Sequence, residues 1–70
     1  MSTTLAVYFF LKCEFQKDPN RWFKVGEVAS AINKSVDRTR KHLSLLRMGD
    51  DAETKIEGWC NVYRYKNRFK

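Results

Sequence analysis

With one proline and three glycines in 70 residues, the chain has little of the composition of a disordered one. Histidine is nearly missing too. His42 stands alone, with no carboxylate or cysteine at a local spacing that would build a nucleophilic triad, so no enzyme is expected. There is no C-x-x-C or H-x-x-x-H pair and no glycine-rich phosphate loop, so neither a metal nor any other cofactor is expected. No apolar run approaches the roughly 20 residues of a membrane span. The start, Met1-Ser2-Thr3-Thr4, lacks the basic region of a secretory signal. These absences point to a cytoplasmic protein with no membrane partner and no evident small-molecule ligand. Cys13 and Cys60 fall in segments that read as a buried helix and a buried strand, and are expected as free thiols rather than a disulfide. Nothing reads as a linker, an internal repeat or a low-complexity tract.

What is present is a globular composition, 43% hydrophobic and 14% aromatic. The length allows one domain, residues 1–70, which buries only roughly 60% of its unfolded surface and therefore has a small core. The net charge of +6 is unevenly spread. Residues 1–20 balance, with Lys12 and Lys17 against Glu14 and Asp18. Residues 35–48 carry Arg38, Arg40, Lys41 and Arg47 against Asp37 alone. Residues 49–57 reverse the sign, with Asp50, Asp51, Glu53 and Glu57 against Lys55. From residue 58 onward Arg64, Lys66, Arg68 and Lys70 meet no acid. Basic charge concentrated in two segments, without a basic amphipathic helix that exposes an apolar face, suits a polyanion better than a membrane.

In chain order, Thr3 or Thr4 can cap a helix over 3–16. Leu5, Ala6, Val7, Tyr8, Phe9, Phe10, Leu11, Cys13 and Phe15 make it apolar nearly all round. So many apolar residues cannot all face one small core, and a homodimer through this helix is expected. Lys17-Asp18-Pro19-Asn20 is turn chemistry, and the aromatic segment 22–24 reads as a short strand. Val25, Val28, Ala29 and Ile32 form the apolar stripe of a helix over 26–32. Asn33 tolerates the left-handed turn that stops it, and Ser35 can cap the next helix, 36–48. In that helix Val36, Thr39, Leu43 and Leu46 form the inward stripe, and Asp37, Arg40, Lys41 and Ser44 the outward one. Gly49 is placed to end it in a left-handed cap. A hairpin over 53–66 follows, turning at Glu57-Gly58. Its return strand puts Cys60, Val62 and Arg64 on one face and Trp59, Asn61, Tyr63 and Tyr65 on the other.

The stretch Glu27 to Leu46 resembles the helix-turn-helix of the winged-helix superfamily, "e-l-A-x-x-L-g-v-s-x-x-t-v-x-r-x-L-x-x-L", without a gap. Ala29 falls on the small residue at the helix crossing, Asn33 on the turn glycine, and Leu43 and Leu46 on the core leucines. Lys34 and Thr39 depart from it, standing where aliphatic residues are usual. Asn61-Val62-Tyr63-Arg64-Tyr65 is similar to the "n-v-Y-r-l" ending of such domains. The resemblance implies an α+β winged helix-turn-helix of three helices, a short strand and a C-terminal β-hairpin wing. In size it is similar to the compact regulators of phages, plasmids and fimbrial operons.

The function it implies is sequence-specific binding of double-stranded DNA by a transcriptional regulator. Helix 36–48 would enter the major groove, where Arg and Lys pair with guanine acceptors. The expected contacts are Ser35, Asp37, Arg38, Arg40, Lys41 and Ser44, with Arg64, Lys66 and the tail on phosphates. His42 is expected at the solvent edge or on a phosphate, and Trp22, Trp59 and Tyr63 in the core. Acidic Glu57, at the expected wing tip, argues against deep minor-groove insertion. The alternatives are a winged-helix protein-protein module within a larger assembly, and binding of RNA or another nucleic-acid form.

Overall fold

In the computed structural model, which describes residues 3–66, each helix of the helix-turn-helix is closed at its C-terminus by the same backbone device. Helix α2 (Val25–Ile32) stops where Asn33 adopts φ 58° and ψ 49°. The Asn33 and Lys34 N–H groups then donate to the carbonyls of Ser30 (3.3 Å) and Ala29 (3.0 Å), the bond pair of a Schellman motif. Helix α3 (Val36–Met48) starts with the Ser35 hydroxyl accepting from the Arg38 N–H at 3.2 Å. It ends in a second Schellman motif, but not at the expected residue. Gly49 lies at φ −83°, and Asp50 takes the left-handed place at φ 65°. The N–H groups of Asp50 and Asp51 donate back to Arg47 and Leu46. One further helical residue therefore carries the chain past Gly49 before it turns.

Helix α1 (Thr3–Lys17) packs across both motif helices, with Val7 and Leu11 buried. Thr3 and Thr4 lie within the helix, not at its cap. The Thr4 hydroxyl is instead hydrogen-bonded to His42 Nδ1, 2.6 Å away on α3. Phe23, Val28, Leu43, Leu46, Ala52 and Tyr63 join Val7 and Leu11 in one core. Val25 and Ile32 pack on its edge.

Three antiparallel strands close the domain in the order β1-β3-β2, from β1 (Phe23–Lys24), β2 (Ala52–Glu57) and β3 (Cys60–Tyr65). Phe23 pairs with Tyr63 and Ala52 with Tyr65, and these inward residues meet the helices. The architecture is α+β, a winged helix-turn-helix. Strand β3 presents Tyr63 to the core and Val62 to the reverse face, as alternation requires. Val62 is nevertheless only 2% exposed. The reverse face is covered there by Trp22, whose ring lies under Lys55 Nζ (4.6 Å) and the Arg64 guanidinium (4.3 Å).

Several expectations are corrected. The hairpin turns at Gly58-Trp59, one residue later than expected, because Glu57 still pairs with Cys60. Both turn residues have positive φ, 55° and 70°, as a two-residue type I′ turn demands. Trp59 is thereby fully exposed rather than in the core. Trp22 lies on the reverse face of the sheet, and Tyr63 is the only one of the three aromatics that packs in the core. Cys13 and Cys60 are both exposed free thiols, Cys13 because it faces away from Val7 and Leu11 and Cys60 because it borders the turn. Val36 is 43% exposed, since the first turn of α3 projects beyond the core.

Thr39 occupies the centre of the inward stripe and is fully buried, with no hydrogen-bond partner for its hydroxyl among the described residues. An unsatisfied buried hydroxyl costs about 1–3 kcal/mol, and valine has nearly the same shape. Thr39→Val is therefore expected to stabilise the domain by about 1 kcal/mol. That raises its melting temperature by roughly 4–8 °C, as circular dichroism would read.

Candidate nucleic-acid interface

With Thr39, Leu43 and Leu46 turned inward, the remaining surface of α3 is open to solvent along its length. Asp37, Arg38, Arg40, Lys41 and Arg47 are exposed there, and Ser44 is half-buried among them. Asp37 and Arg40 form an ion pair at 3.2 Å, three residues apart and well exposed. Such a pair contributes about 0.3–0.5 kcal/mol, so Arg40 can exchange it for another acceptor. Arg38, Lys41, Arg47 and, in the turn before the helix, Lys34 have no ion-pair partner among the described residues. Ser35 uses one of its two acceptor lone pairs on the cap, while its O–H is still able to donate.

The structure brings these residues together, but it takes Arg64 away from them. Arg64 lies on the reverse face of the sheet, stacked on Trp22, with its guanidinium on Glu53. Its Nη1 donates to the Pro19 carbonyl at 2.8 Å. The group ties β3 to β2 and to the loop after α1, so a phosphate would have to compete with these partners for it. Lys66 bonds Asp50 at 2.6 Å and is half-buried, so its amine is engaged beside the end of α3. Arg68 and Lys70, also expected on phosphates, lie outside the described residues. His42, half-buried on the flank of α3, joins α3 to α1 through its bond to Thr4.

Two residues on the wing side were missed. An open cleft of about 590 Å³ lies between the wing and the start of α3. Val25, Val36 and Tyr63 line it, together with Lys24, Arg40 and Trp59. Placing the turn one residue early hid Trp59 in a strand. The available signal was Glu57-Gly58-Trp59-Cys60 read as a two-residue hairpin, with glycine first. Lys24 gave no signal of its own, since its place depends on how β1 meets β3. Among the described residues no group of three His, Cys, Asp or Glu side chains gathers to hold a metal ion, and no helix is long and apolar enough to cross a membrane.

No protein-family model matches the chain, and no curated protein matches it. Among solved structures, it is similar to a part of human N-acetylserotonin methyltransferase, crystallised in complex with SAM. The TM-score is 0.69 at 13% sequence identity, over 91% of this chain and 19% of the other. The chain thus spans about a fifth of that protein's length, and the likeness is one of fold alone.

Proposed function

We propose that the chain binds double-stranded DNA sequence-specifically as a winged-helix transcriptional regulator in the cytoplasm. Helix α3 would lie in the major groove. One observation carries this reading: α3 is fixed by a cap, a Schellman motif and a buried stripe, while its open surface holds Arg38 and Lys41 without ion-pair partners among the described residues and Arg40 in a weak pair. A rigid helix with unpaired cations is suited to phosphates and to guanine O6 and N7. Lys34, Ser35 and Arg47, at the two ends of α3, would set its register on the backbone.

Helix α1 supplies a route to a dimer. Leu5 and Phe9 are 47% and 48% exposed, and Cys13 continues their stripe one turn further. A self-complementary contact there would place two α3 helices on half-sites about one helical turn, or a multiple, apart. Light scattering at tens of micromolar that returns only the 8.3 kDa monomer, with and without DNA, would exclude it.

The DNA reading is tested by selecting duplexes from a random pool and titrating the winner against a scrambled duplex at several salt concentrations. Arg40→Ala is expected to lose about 1–3 kcal/mol on the selected site and less on the scrambled one. Lys34→Ala is expected to weaken both alike and to lower the salt slope by about one. Each change is on the surface and should move stability by less than about 0.5 kcal/mol. If folded Arg40→Ala and Lys41→Ala bind every duplex as the unaltered chain does, α3 does not read DNA and the protein-contact reading replaces this one.

A further inference from the structure

Trp59 contributes nothing to the core. It is fully exposed, has no ring contact among the described residues, and stands at φ 70°, a backbone region that bulky side chains rarely enter. At the second turn position glycine would serve the hairpin better. A residue kept there against the local preference of the backbone is a candidate for a role outside folding.

The cleft beneath it says which role. Its lining includes apolar Val25 and Val36 and the ring of Tyr63, and about 590 Å³ is the size of a small-ligand pocket. Two of its lining residues are cationic. Lys24 has no ion-pair partner among the described residues, and Arg40 holds only the exposed Asp37. The one carboxylate in the lining, Glu27, accepts the Lys24 N–H at 2.9 Å and sits 3.9 Å from Arg21, so its charge is answered within the fold. A purely apolar occupant would leave the two cations unmatched. A simple anion would leave the indole and the apolar lining unused.

We propose that this cleft binds a nucleobase with its phosphate, the ring stacked on Trp59 and the phosphate held by Lys24 and Arg40. The same chemistry is offered by a free mononucleotide and by an unpaired base in a nucleic-acid strand. Aromatic stacking beside basic side chains is how proteins hold unpaired bases without reading their sequence. The site borders the α3 surface proposed for the major groove and shares Arg40 with it, so it would operate at an end, a fork or an opened step of a duplex.

Trp59 is its own reporter. Tryptophan emission is followed while the whole protein is titrated with deoxythymidylate, a short oligothymidylate, a blunt duplex, and the same duplex with a single-stranded overhang. The oligothymidylate and the overhang are expected to quench the exposed indole, the blunt duplex much less. Trp59→Gly, which suits the left-handed backbone and leaves Trp22 as the only indole, should abolish the quench. It should also weaken oligothymidylate binding about tenfold, as followed by anisotropy of a labelled strand. Saturation by the mononucleotide alone identifies a free nucleotide as a sufficient ligand. Quenching only by strands identifies an unpaired base. The inference is overturned if none of these ligands quenches, or if the quench persists in Trp59→Gly. Lys41→Ala, outside the cleft, separates the two sites. Loss of blunt-duplex binding there with the quench intact concerns α3 alone, and a missing quench with duplex binding intact concerns the cleft alone.

Discussion

Leu43→Ala is expected to destabilise the domain by roughly 2–5 kcal/mol, the usual cost of emptying a well-packed leucine site. Leu43 is fully buried in the same cluster as Val7, Leu11 and Val28, so α1 and α2 both lose support when it is shortened. In so small a domain the surroundings have little freedom to collapse into the gap, and total stability is itself of the order of 5–15 kcal/mol. The melting temperature should fall by roughly 8 °C or more. A melt within a degree or two of the unaltered chain would mean that α3 does not pack through this face.

The second large effect is expected at Arg64, whose replacement by alanine should cost about 2 kcal/mol. Three interactions end together: the bonds to Glu53, the bond to the Pro19 carbonyl and the stacking on Trp22. Hydrogen bonds to charged groups contribute about 1.5–3 kcal/mol each when sheltered. Here the Arg64 and Glu53 side chains keep 24% and 34% of their exposure, which reduces the sum. Val62 would also lose part of its cover. Urea unfolding reads the change directly. Unaltered stability, combined with a lower salt slope in DNA binding, would assign Arg64 the phosphate role in place of the structural one.

Arg64 also marks the limit of what the sequence discloses. The elements were readable because their signals are local. The stripe Val25, Val28, Ala29 and Ile32, the left-handed tolerance of Asn33 and the hydroxyl of Ser35 each act within one or two turns of backbone. Alternation in β3 likewise assigned Tyr63 and Val62 to opposite faces. What a side chain meets across the fold is another matter. Arg64 finds Glu53 eleven residues away and Pro19 forty-five residues away, and no spacing rule announces either. The same holds for His42 and Thr4, joined across thirty-eight residues. Trp59 was misplaced for a smaller reason. A shift of one residue in the turn separates a strand side chain from one standing free at the tip, because side chains alternate with period two.

The order β1-β3-β2 has a consequence for the birth of the protein. The central strand is the last of the three in the sequence, and each of the other two pairs with it alone. When α2 and α3 have left the ribosome, Phe23 still waits for Tyr63. At bacterial and eukaryotic elongation rates of about 5–20 residues per second, that wait lasts roughly 2–8 seconds. For the last part of it, roughly 1–3 seconds after Met48 is added, the helix-turn-helix is complete without its sheet, and Phe23 has no strand partner. The sheet can be completed only when residues 60–65 lie between the two segments that become its edges.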